Sequence, residues 1–389
     1  MTSTLTTQRL LAGLDHGPVP RLTVEALVDL LEASGLTGRG GAGFPTVQKI
    51  RSIGRGPVLV GNAMESEYLS HKDALLLRAA PGLVLDVLEI LAIALRARRA
   101  LLAVGHRLDP GPVREQIAVR RSSVEVRHLD GGFVAGQESA LVNRLDGGPA
   151  LPGDPLVPVR HRGVDGRPTL VVNAETLAQL ALLARYGADW FRSVGTPDDP
   201  GTFLVSLTGS TREVVPHPGV VEVPRGTPLG DVLASAGTPL PRARAVLVGG
   251  YHGTWLPMAA LDAPLSREGL APYGATPGAG VLHVLDQRAC PLRTSADVAS
   301  YLARESAGQC GPCINGLPRM ADTLTRLAAP GADRALAAEV DRLRGLVRGR
   351  GACAHPDGTA HFVASTMRVF AGHVEAHLRG ECHALGRAA

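Results

Sequence analysis

The sequence contains very little lysine, asparagine and aromatic residue. Of 40 basic side chains only two are lysines, Lys49 and Lys72, and the asparagines are Asn62, Asn143, Asn173 and Asn315. Aromatic residues make up 3% of the chain, and no dense run of basic residues occurs. Proteins that bind single-stranded nucleic acid need aromatic platforms and basic grooves. We therefore predict that nucleic acid is not a partner.

Long hydrophobic runs are also missing. The most apolar stretch, residues 83–95, contains Asp86 and Glu89, and it is too short to cross a bilayer, so it predicts an amphipathic helix. The first residues lack the charged and then apolar pattern of a signal peptide. We expect a soluble cytoplasmic protein with no transmembrane segment of its own, or one held at the inner face of the membrane through a partner.

Cysteine is scarce, and its number is odd. The chain has five cysteines, of which Cys310 and Cys313 have the Cys-x-x-Cys spacing of metal ligands. Without an export signal, this spacing favours metal or redox chemistry over a disulfide framework. We expect Cys382 to be an ordinary surface thiol. The histidines at 71, 106, 128 and 252 lie far apart in the sequence and predict no ligand set.

Glycine is abundant in one short stretch, where Gly38, Gly40, Gly41 and Gly43 fall within six residues. A loop of this kind can direct several backbone N–H groups at one anion, especially ahead of a helix. The spacing Gly-x-Gly-x-x-Gly matches a dinucleotide fingerprint, which should follow a strand. The residues before it instead predict a helix, which Thr23 can cap and Gly35 can end. The stretch predicts a site for a phosphate-bearing cofactor, the alternative being a flexible surface loop.

The pattern along the chain predicts three regions. Up to about residue 200, buried strands at 57–62, 100–104, 124–128 and 170–172 alternate with helices, which favours a mainly parallel sheet. Residues 201–285 predict a small α+β unit with strands around one helix. From residue 290 onwards the apolar spacing is helical, with helices at 297–307, 317–327, 335–347 and 361–378.

Five motifs together resemble one known family, and the resemblance covers about residues 20–380. The motifs are Gly38–Thr46 with Lys49; Asn62–Glu67 with Lys72 and Asp73; Gly136–Glu138; Pro168–Leu177; and Ser306–Cys313 with Cys353. They resemble the NADH-binding FMN and iron–sulfur subunit of respiratory complex I, the 51 kDa or F-subunit family. Flavin subunits of NAD-linked hydrogenases and formate dehydrogenases are relatives of that family.

This resemblance implies an α/β fold with three domains. They are a Rossmann-like FMN and NADH-binding domain at 1–200, a soluble-ligand-binding β-grasp domain at 201–288, and a helical iron–sulfur domain at 289–389. It also implies an FMN-dependent oxidoreductase. Such a protein passes electrons from NAD(P)H through FMN and an iron–sulfur cluster to a ferredoxin-like or membrane redox partner.

The resemblance also implies roles for individual residues. In the family, the glycine loop and the lysine hold the flavin phosphate and ribityl chain, and two asparagines contact the flavin. Glu67 and Glu138 fall on positions that face the nicotinamide, and we assign them as the catalytic candidates. The cofactor-binding positions are Gly38, Arg39, Gly40, Gly41, Ala42, Gly43, Phe44, Lys49, Asn62, Glu65, Gly136, Gln137, Asn173 and Thr176. The cluster ligands are Cys310, Cys313 and Cys353.

The chain departs from the family at the cluster. The first of the family's four cysteine positions is Ala307, which leaves three thiolates where a [4Fe–4S] cluster normally takes four. Either a three-iron cluster forms, or a four-iron cluster takes an outside ligand, or Cys290, His355 or another protein supplies the fourth bond. The remaining alternative is an empty site in which the thiols are small core residues.

It departs again at the nicotinamide and flavin positions. Phe44 is kept, but a second ring that grips the NADH adenine is replaced by Ser52, and no phenylalanine occurs at 152–169. Met64 replaces an aspartate near the flavin, and Gln137 replaces one of two paired glutamates. Because fewer negative charges near the flavin favour its reduced, anionic form, we predict a raised flavin reduction potential. Two alternatives therefore stay open: a flavin electron-transfer module that does not use NAD, and a non-catalytic degenerate subunit.

Overall fold

The structure is a computed structural model and describes residues 8–12, 20–153, 156–382 and 384. Two sheets and a C-terminal group of helices account for the described core. The predicted α/β class is confirmed. The predicted domain divisions after residues 200 and 288 stay predictions.

The first sheet has four strands, and every neighbouring pair is parallel. The strands are β1 Val58–Ala63, β2 Arg99–Gly105, β3 Glu125–Leu129 and β4 Thr169–Asn173, in the order β3-β2-β1-β4. The helices of this region are α1 Val24–Ser34, α2 Thr46–Arg51, α3 Lys72–Ala79, α4 Pro81–Ala94, α5 Gly111–Arg120, α6 Glu138–Leu145 and α7 Ala174–Arg192. Helices α2 and α3 were not predicted from the sequence.

Helix α1 shows how local sequence sets the element boundaries. The Thr23 hydroxyl accepts a hydrogen bond from the N–H of Ala26, which caps the N-terminus. Gly35 ends the helix in the left-handed region at φ 67°, and its N–H donates to the carbonyl of Leu31. The predicted helix between Thr23 and Gly35 is confirmed. Its buried residues Leu27 and Leu31 join the core between the sheet and α7.

The second sheet is mixed and has five strands. They are β5 Thr202–Gly209, β6 Gly219–Pro224, β7 Ala243–Val248, β8 Thr254–Pro257 and β9 Val281–Asp286, in the order β6-β5-β9-β7-β8. The pair β5–β9 is parallel and the other pairs are antiparallel. Helices α8 Leu229–Ser235 and α9 Arg267–Leu270 belong to this unit. The sequence pattern does not predict β8.

The C-terminal region is helical, as predicted. Its helices are α10 Pro291–Arg304, α11 Leu317–Leu327, α12 Ala335–Val347, α13 His355–Val369 and α14 Ala371–Leu378. The single helix predicted at 361–378 is wrong, because the helical stretch begins at His355 and breaks at Phe370, where φ is −106° and ψ 25°. Trp255 of β8 packs into the core of these helices. None of the described helices is long and apolar enough to cross a membrane.

Candidate functional site

Two amide side chains lie side by side at the carboxyl edge of the parallel sheet. Asn62 of β1 is the register partner of Asn173 of β4. Asn173 also caps α7, since its Oδ1 accepts from the N–H of Glu175 at 3.1 Å. The Asn62 amide donates to the carbonyl of Gly136 at 2.9 Å. This edge is where parallel α/β sheets bind ligands, and both asparagines line a cleft there.

The glycine loop closes over the N-terminus of α7. The N–H of Gly38 donates to the carbonyl of Phe44 at 2.9 Å, so the two ends of the loop lie next to each other. Gly41 and Gly43 have φ of 112° and 60°, which side-chain-bearing residues rarely adopt. A Cβ on Gly40 would lie 3.3 Å from the Cβ of Asn173. The loop backbone therefore faces the start of a 19-residue helix, where the dipole favours an anion.

The loop is anchored through the main chain of Arg39. Its N–H donates to the Thr176 hydroxyl at 2.8 Å, and its carbonyl accepts from the Lys72 ammonium at 2.7 Å. Lys72 in turn pairs with Glu175 at 2.6 Å, with both side chains buried. Lys72 is therefore a structural residue, and it fixes the loop position before any ligand arrives.

Arg39 itself directs its side chain away from the cleft. Its guanidinium donates to the carbonyl of Pro200 at 2.9 Å and lies 3.6 Å from Asp199. Burial lowers the pKa of Arg39, against the opposing effect of Asp199. The main chain of Arg39 therefore lies beside the site. Its side chain instead holds the loop to residues 199–200, just before the second sheet.

The cleft under the loop is open. One cavity of about 280 Å³ is lined by the loop, Lys49, Asn62, Asn173 and Thr176. It adjoins a cavity of about 490 Å³, with which it shares Gly40, Ala42, Gly136 and Gln137. Cofactor pockets have volumes of this order. Loop amides, a helix N-terminus, a lysine and two amide side chains provide the donors that FMN requires, so the residues present fit this cofactor.

Lys49 and Glu138 form an ion pair within the cleft. The Lys49 ammonium donates to a Glu138 carboxylate oxygen at 3.2 Å and to the carbonyl of Val171 at 3.0 Å. Both side chains are partly exposed, so water and salt weaken the pair and leave the ammonium available for a stronger anion. Next to it, Gln137 caps α6 by accepting from the N–H of Ala140.

The two glutamates of the second motif have different positions. Glu67 lines the larger cavity, and burial raises its pKa to about 7, against the N–H groups of Tyr251 and Leu69 that donate to it. Glu65, predicted to contact the cofactor, accepts instead from the N–H groups of Asp73 and Ala74. It fixes the start of α3 and does not line either cavity.

The cluster cysteines lie beside the same cleft. The Sγ atoms of Cys310 and Cys313 are 3.5 Å apart, and Cys313 sits in the π-helical turn Pro312–Gly316 ahead of α11. Cys353, on the loop before α13, lines the larger cavity together with the glycine loop. The three thiols also influence one another's ionisation.

Burial raises the pKa of Cys313 to about 11, and it raises that of Cys353, with Cys310 adding to the shift in both. At Cys310 burial acts in the same direction, but hydrogen bonds from Ala352 and Cys313 outweigh it and lower the pKa. Cysteine thiolates are the donors that iron–sulfur clusters take, and a cationic centre bound here would displace the thiol protons. The residues present fit an iron–sulfur cluster held by three thiolates.

Neither residue suggested from the sequence supplies a fourth ligand. The Nε2 of His355 is 2.8 Å from the carbonyl of Leu302, and its Nδ1 is 3.2 Å from His252. Cys290 lies at the start of α10, a 14-residue helix, which places it about 20 Å from the end that leads to Cys310. Ala307 therefore leaves the three-thiolate set without a partner among these candidates.

His252 is a site residue that the sequence did not reveal. It lines the larger cavity, packs against Phe133 at 4.8 Å between ring centroids, and contacts His355. Burial lowers its pKa to about 3, so the ring is neutral at physiological pH. Its contact with His355 was not predicted from the sequence. His252 lies 103 positions from His355, and no sequence spacing indicates such a pair.

Comparison with known proteins identifies the family to which the chain belongs. Residues 31–182 match the family described as Nuo51 FMN-binding domain, and residues 293–377 match the NADH-ubiquinone oxidoreductase-F iron-sulfur binding region. The F subunit of NADH-quinone oxidoreductase from Streptomyces coelicolor is 31% identical over 381 residues, which cover 91% of this chain and 83% of the relative. The chain belongs to this F-subunit family.

Other members of the F-subunit family and its relatives are similar over most of the chain. The NADP-reducing hydrogenase subunit HndC of Solidesulfovibrio fructosivorans is 29% identical, covering 92% of this chain and 77% of the relative. Among solved structures, a chain of the NAD⁺-reducing [NiFe]-hydrogenase in the air-oxidized state matches with 32% identity and a TM-score of 0.82. That match covers 96% of this chain and 66% of the hydrogenase chain.

These matches confirm the family predicted from the motifs. The protein carries the FMN-binding domain and the iron–sulfur binding region of an oxidoreductase family. The predicted FMN and iron–sulfur cofactors are confirmed at this level. The individual contacts of Lys49, Asn62, Asn173 and the other cleft residues with FMN stay predictions.

Proposed function

We propose that this protein oxidises NAD(P)H at FMN held in the cleft and passes the electrons through a three-cysteine cluster to a ferredoxin-like or membrane redox partner. The observation that carries the proposal is that residues of the flavin cleft and of the cluster loop line the same cavity, the larger of the two. Gly40 and Gly136 from the flavin side line it together with Cys353 from the cluster loop. A flavin and a cluster in these positions are neighbours, as electron transfer between them requires.

Each part of the site has a distinct task in this proposal. FMN, when bound, supplies the conversion between hydride transfer and single-electron transfer. The loop amides, the α7 N-terminus and Lys49 hold the phosphate. Asn62 and Asn173 orient the cofactor at the sheet edge. Glu67 and Glu138 line the space left for the nicotinamide, and with a pKa of about 7 Glu67 can hold or release a proton near neutrality.

The three structural units take the roles that the family implies. We infer a Rossmann-like FMN domain at 1–200, a soluble-ligand-binding β-grasp domain at 201–288 and a helical iron–sulfur domain at 289–389. The parallel sheet, the mixed sheet around α8 and the five C-terminal helices support this division. We also propose a cytoplasmic location, or one at the inner face of the membrane through the redox partner.

A second candidate is a flavin electron-transfer module that does not use NAD. The position of Ser52 favours it. Its hydroxyl donates to the carbonyl of Lys49 at the end of α2, so no ring is present there to stack on adenine. Phe44 is half-exposed beside the cleft and stays available. Each missing ring removes roughly 1–3 kcal/mol of base stacking.

Anaerobic mixing of the flavin-loaded protein with NADH or NADPH separates the two candidates. Loss of the flavin absorbance band within the time of manual mixing supports the first. A band that neither nucleotide changes, but that dithionite removes, establishes the second. The variant Ser52→Phe sharpens the test, because a restored ring should lower the KM for NADH by about tenfold or more. Its control, Ser52→Leu, adds apolar bulk without an aromatic face.

A further inference from the structure

The helical region contains a second cluster of metal-ligating side chains, formed by Cys290, His377 and Cys382. The Sγ atoms of the two cysteines and a ring nitrogen of the histidine all lie within 4.8 Å of one another. We propose that these three residues bind a zinc ion, at a site separate from the flavin and the iron–sulfur cluster.

The separation of Cys290 and His377 matches the geometry of a tetrahedral ion, and the distances to Cys382 are at most 4.8 Å. Zinc binds thiolate sulfur at about 2.3 Å and imidazole nitrogen at about 2.0–2.1 Å, so at a tetrahedral angle the two ligand atoms lie about 3.6 Å apart. The Sγ of Cys290 and the Nε2 of His377 are separated by 3.5 Å. Two thiolates and one imidazole are a ligand set that zinc prefers. The fourth position of the ion is left to a ligand outside this set.

Each ligand is held by a separate feature of the fold. Cys290 is the N-cap of α10, where helix N–H groups favour a thiolate. His377 lies in the last turn of α14 and is fully buried, and its carbonyl accepts from the N–H of Gly331 at 2.7 Å. Cys382 follows α14 and is half-buried against the same core. Cys382 was expected to be an ordinary surface thiol, and the structure shows it partly buried beside Cys290 and His377.

Charge and environment favour an ion at this place. One Zn²⁺ with two thiolates and a neutral imidazole carries no net charge, so it can sit in an apolar core at low desolvation cost. On binding, two sulfur–zinc bonds form and two thiol protons pass to solvent. The guanidinium of Arg244 interacts electrostatically with both cysteines.

The site also has a clear structural consequence. Cys290 lies at the start of the first helix of this region, and Cys382 follows α14, so one ion would join the two ends of the helical region. A crosslink between residues 290 and 382 closes a long loop, which restricts the unfolded chain strongly. The site lies at the opposite end of α10 from Cys310, so it does not share an ion with the cluster.

The test is metal analysis of the full-length protein, purified anaerobically from zinc-supplemented cells, combined with X-ray absorption at the zinc edge. We expect about one zinc per chain, with two sulfur neighbours at about 2.3 Å and a nitrogen neighbour at about 2.0 Å. Cys382→Ser should lose most of the zinc and keep its iron. Cys353→Ser, the matched control at the cluster, should lose iron and keep its zinc.

Three results would overturn the proposal. One is folded protein with no zinc, and another is a Cys290–Cys382 disulfide under anaerobic conditions. The third is zinc with sulfur neighbours alone that disappears in Cys353→Ser, because that ion would occupy the cluster site instead. Cys382→Ser is the primary variant because its side chain is half-buried, whereas His377 is fully buried and its replacement can prevent folding. Circular dichroism and the melting temperature establish that each variant is folded.

Discussion

The ammonium group of Lys72 donates a hydrogen bond of 2.7 Å to the carbonyl oxygen of Arg39. The same ammonium pairs with Glu175, whose second oxygen accepts from the N–H of Leu204 at the start of the mixed sheet. One buried cation thus connects the glycine loop, the first turn of α7 and strand β5. Lysine is otherwise almost absent from the chain, and this position shows why one is retained here.

Replacing Lys72 by methionine should destabilise the fold strongly. Methionine fills a similar volume but leaves the Glu175 carboxylate buried without its cation, which costs about 3–5 kcal/mol. Urea unfolding followed by circular dichroism measures the change in unfolding free energy. The control Arg342→Met removes an exposed pair with Glu339 and should leave the midpoint unchanged. A loss below about 1 kcal/mol for Lys72→Met would show that the pair contributes no more than a surface ion pair.

Replacing Lys49 by methionine should weaken FMN binding but leave the stability of the fold almost unchanged. Its ammonium is partly exposed and bound to Glu138 only through a solvated pair, so stability should change by less than about 1 kcal/mol. A charged hydrogen bond to the FMN phosphate is worth about 1.5–3 kcal/mol, which corresponds to roughly ten- to hundredfold weaker binding. Fluorescence titration of flavin-free protein with FMN measures it. Lys49→Arg should recover part of the affinity, and equal affinities in all three proteins would remove Lys49 from the site.

The different roles of the two lysines illustrate what the sequence could predict. Both stand in motifs that resemble the family, and the motifs alone do not separate them. Lys49 does line the cleft, but Lys72 is buried against Glu175, a contact between residues 103 positions apart. Motif resemblance predicts which positions surround a site. It does not distinguish a side chain that meets the ligand from one that holds the backbone, because that depends on tertiary packing.

Glu67 should make the stability of the protein depend on pH. Burial raises its folded-state pKa from the ordinary value of 4.5 to about 7, so the folded state favours the protonated form. The contribution of Glu67 to the unfolding free energy is then fully present below about pH 4.5 and is lost as the pH rises through about 7. Glu67→Gln mimics the protonated form at every pH. The unfolding free energy of the wild type, measured relative to the variant, should fall across this window, and a constant difference would contradict the assigned pKa.

Replacing Ala307 by cysteine should change the cluster. The substitution supplies the fourth thiolate at the family position, so iron per chain should rise from about three to about four if the wild type holds a three-iron centre. Iron analysis and electron paramagnetic resonance of anaerobic protein measure the change. Ser306→Cys is the matched control, because it adds a thiol one residue away from that position. An unchanged spectrum in Ala307→Cys would mean that the cluster already has a fourth ligand from elsewhere.

The fold was predictable where its determinants are local. Thr23 and Gly35 bounded α1 correctly, and the hydrophobic strands β1, β2 and β4 were recognisable from their composition. Strand β8 was not, because it has only four residues between turns. The Cys290, His377 and Cys382 group could not be predicted for a different reason. Its first two members are 87 positions apart, and only the packing of α14 against the start of α10 brings them together.

FMN bound beneath the glycine loop is the central claim, and the flavin content of anaerobically purified protein tests it most directly. Absorbance and acid extraction should give about one FMN per chain, and Gly40→Ala should reduce it, because the added Cβ would lie 3.3 Å from the Cβ of Asn173. Gly372→Ala, with nothing within 4 Å of its added Cβ, should retain it. Colourless, folded protein that binds no FMN on titration would contradict the central claim.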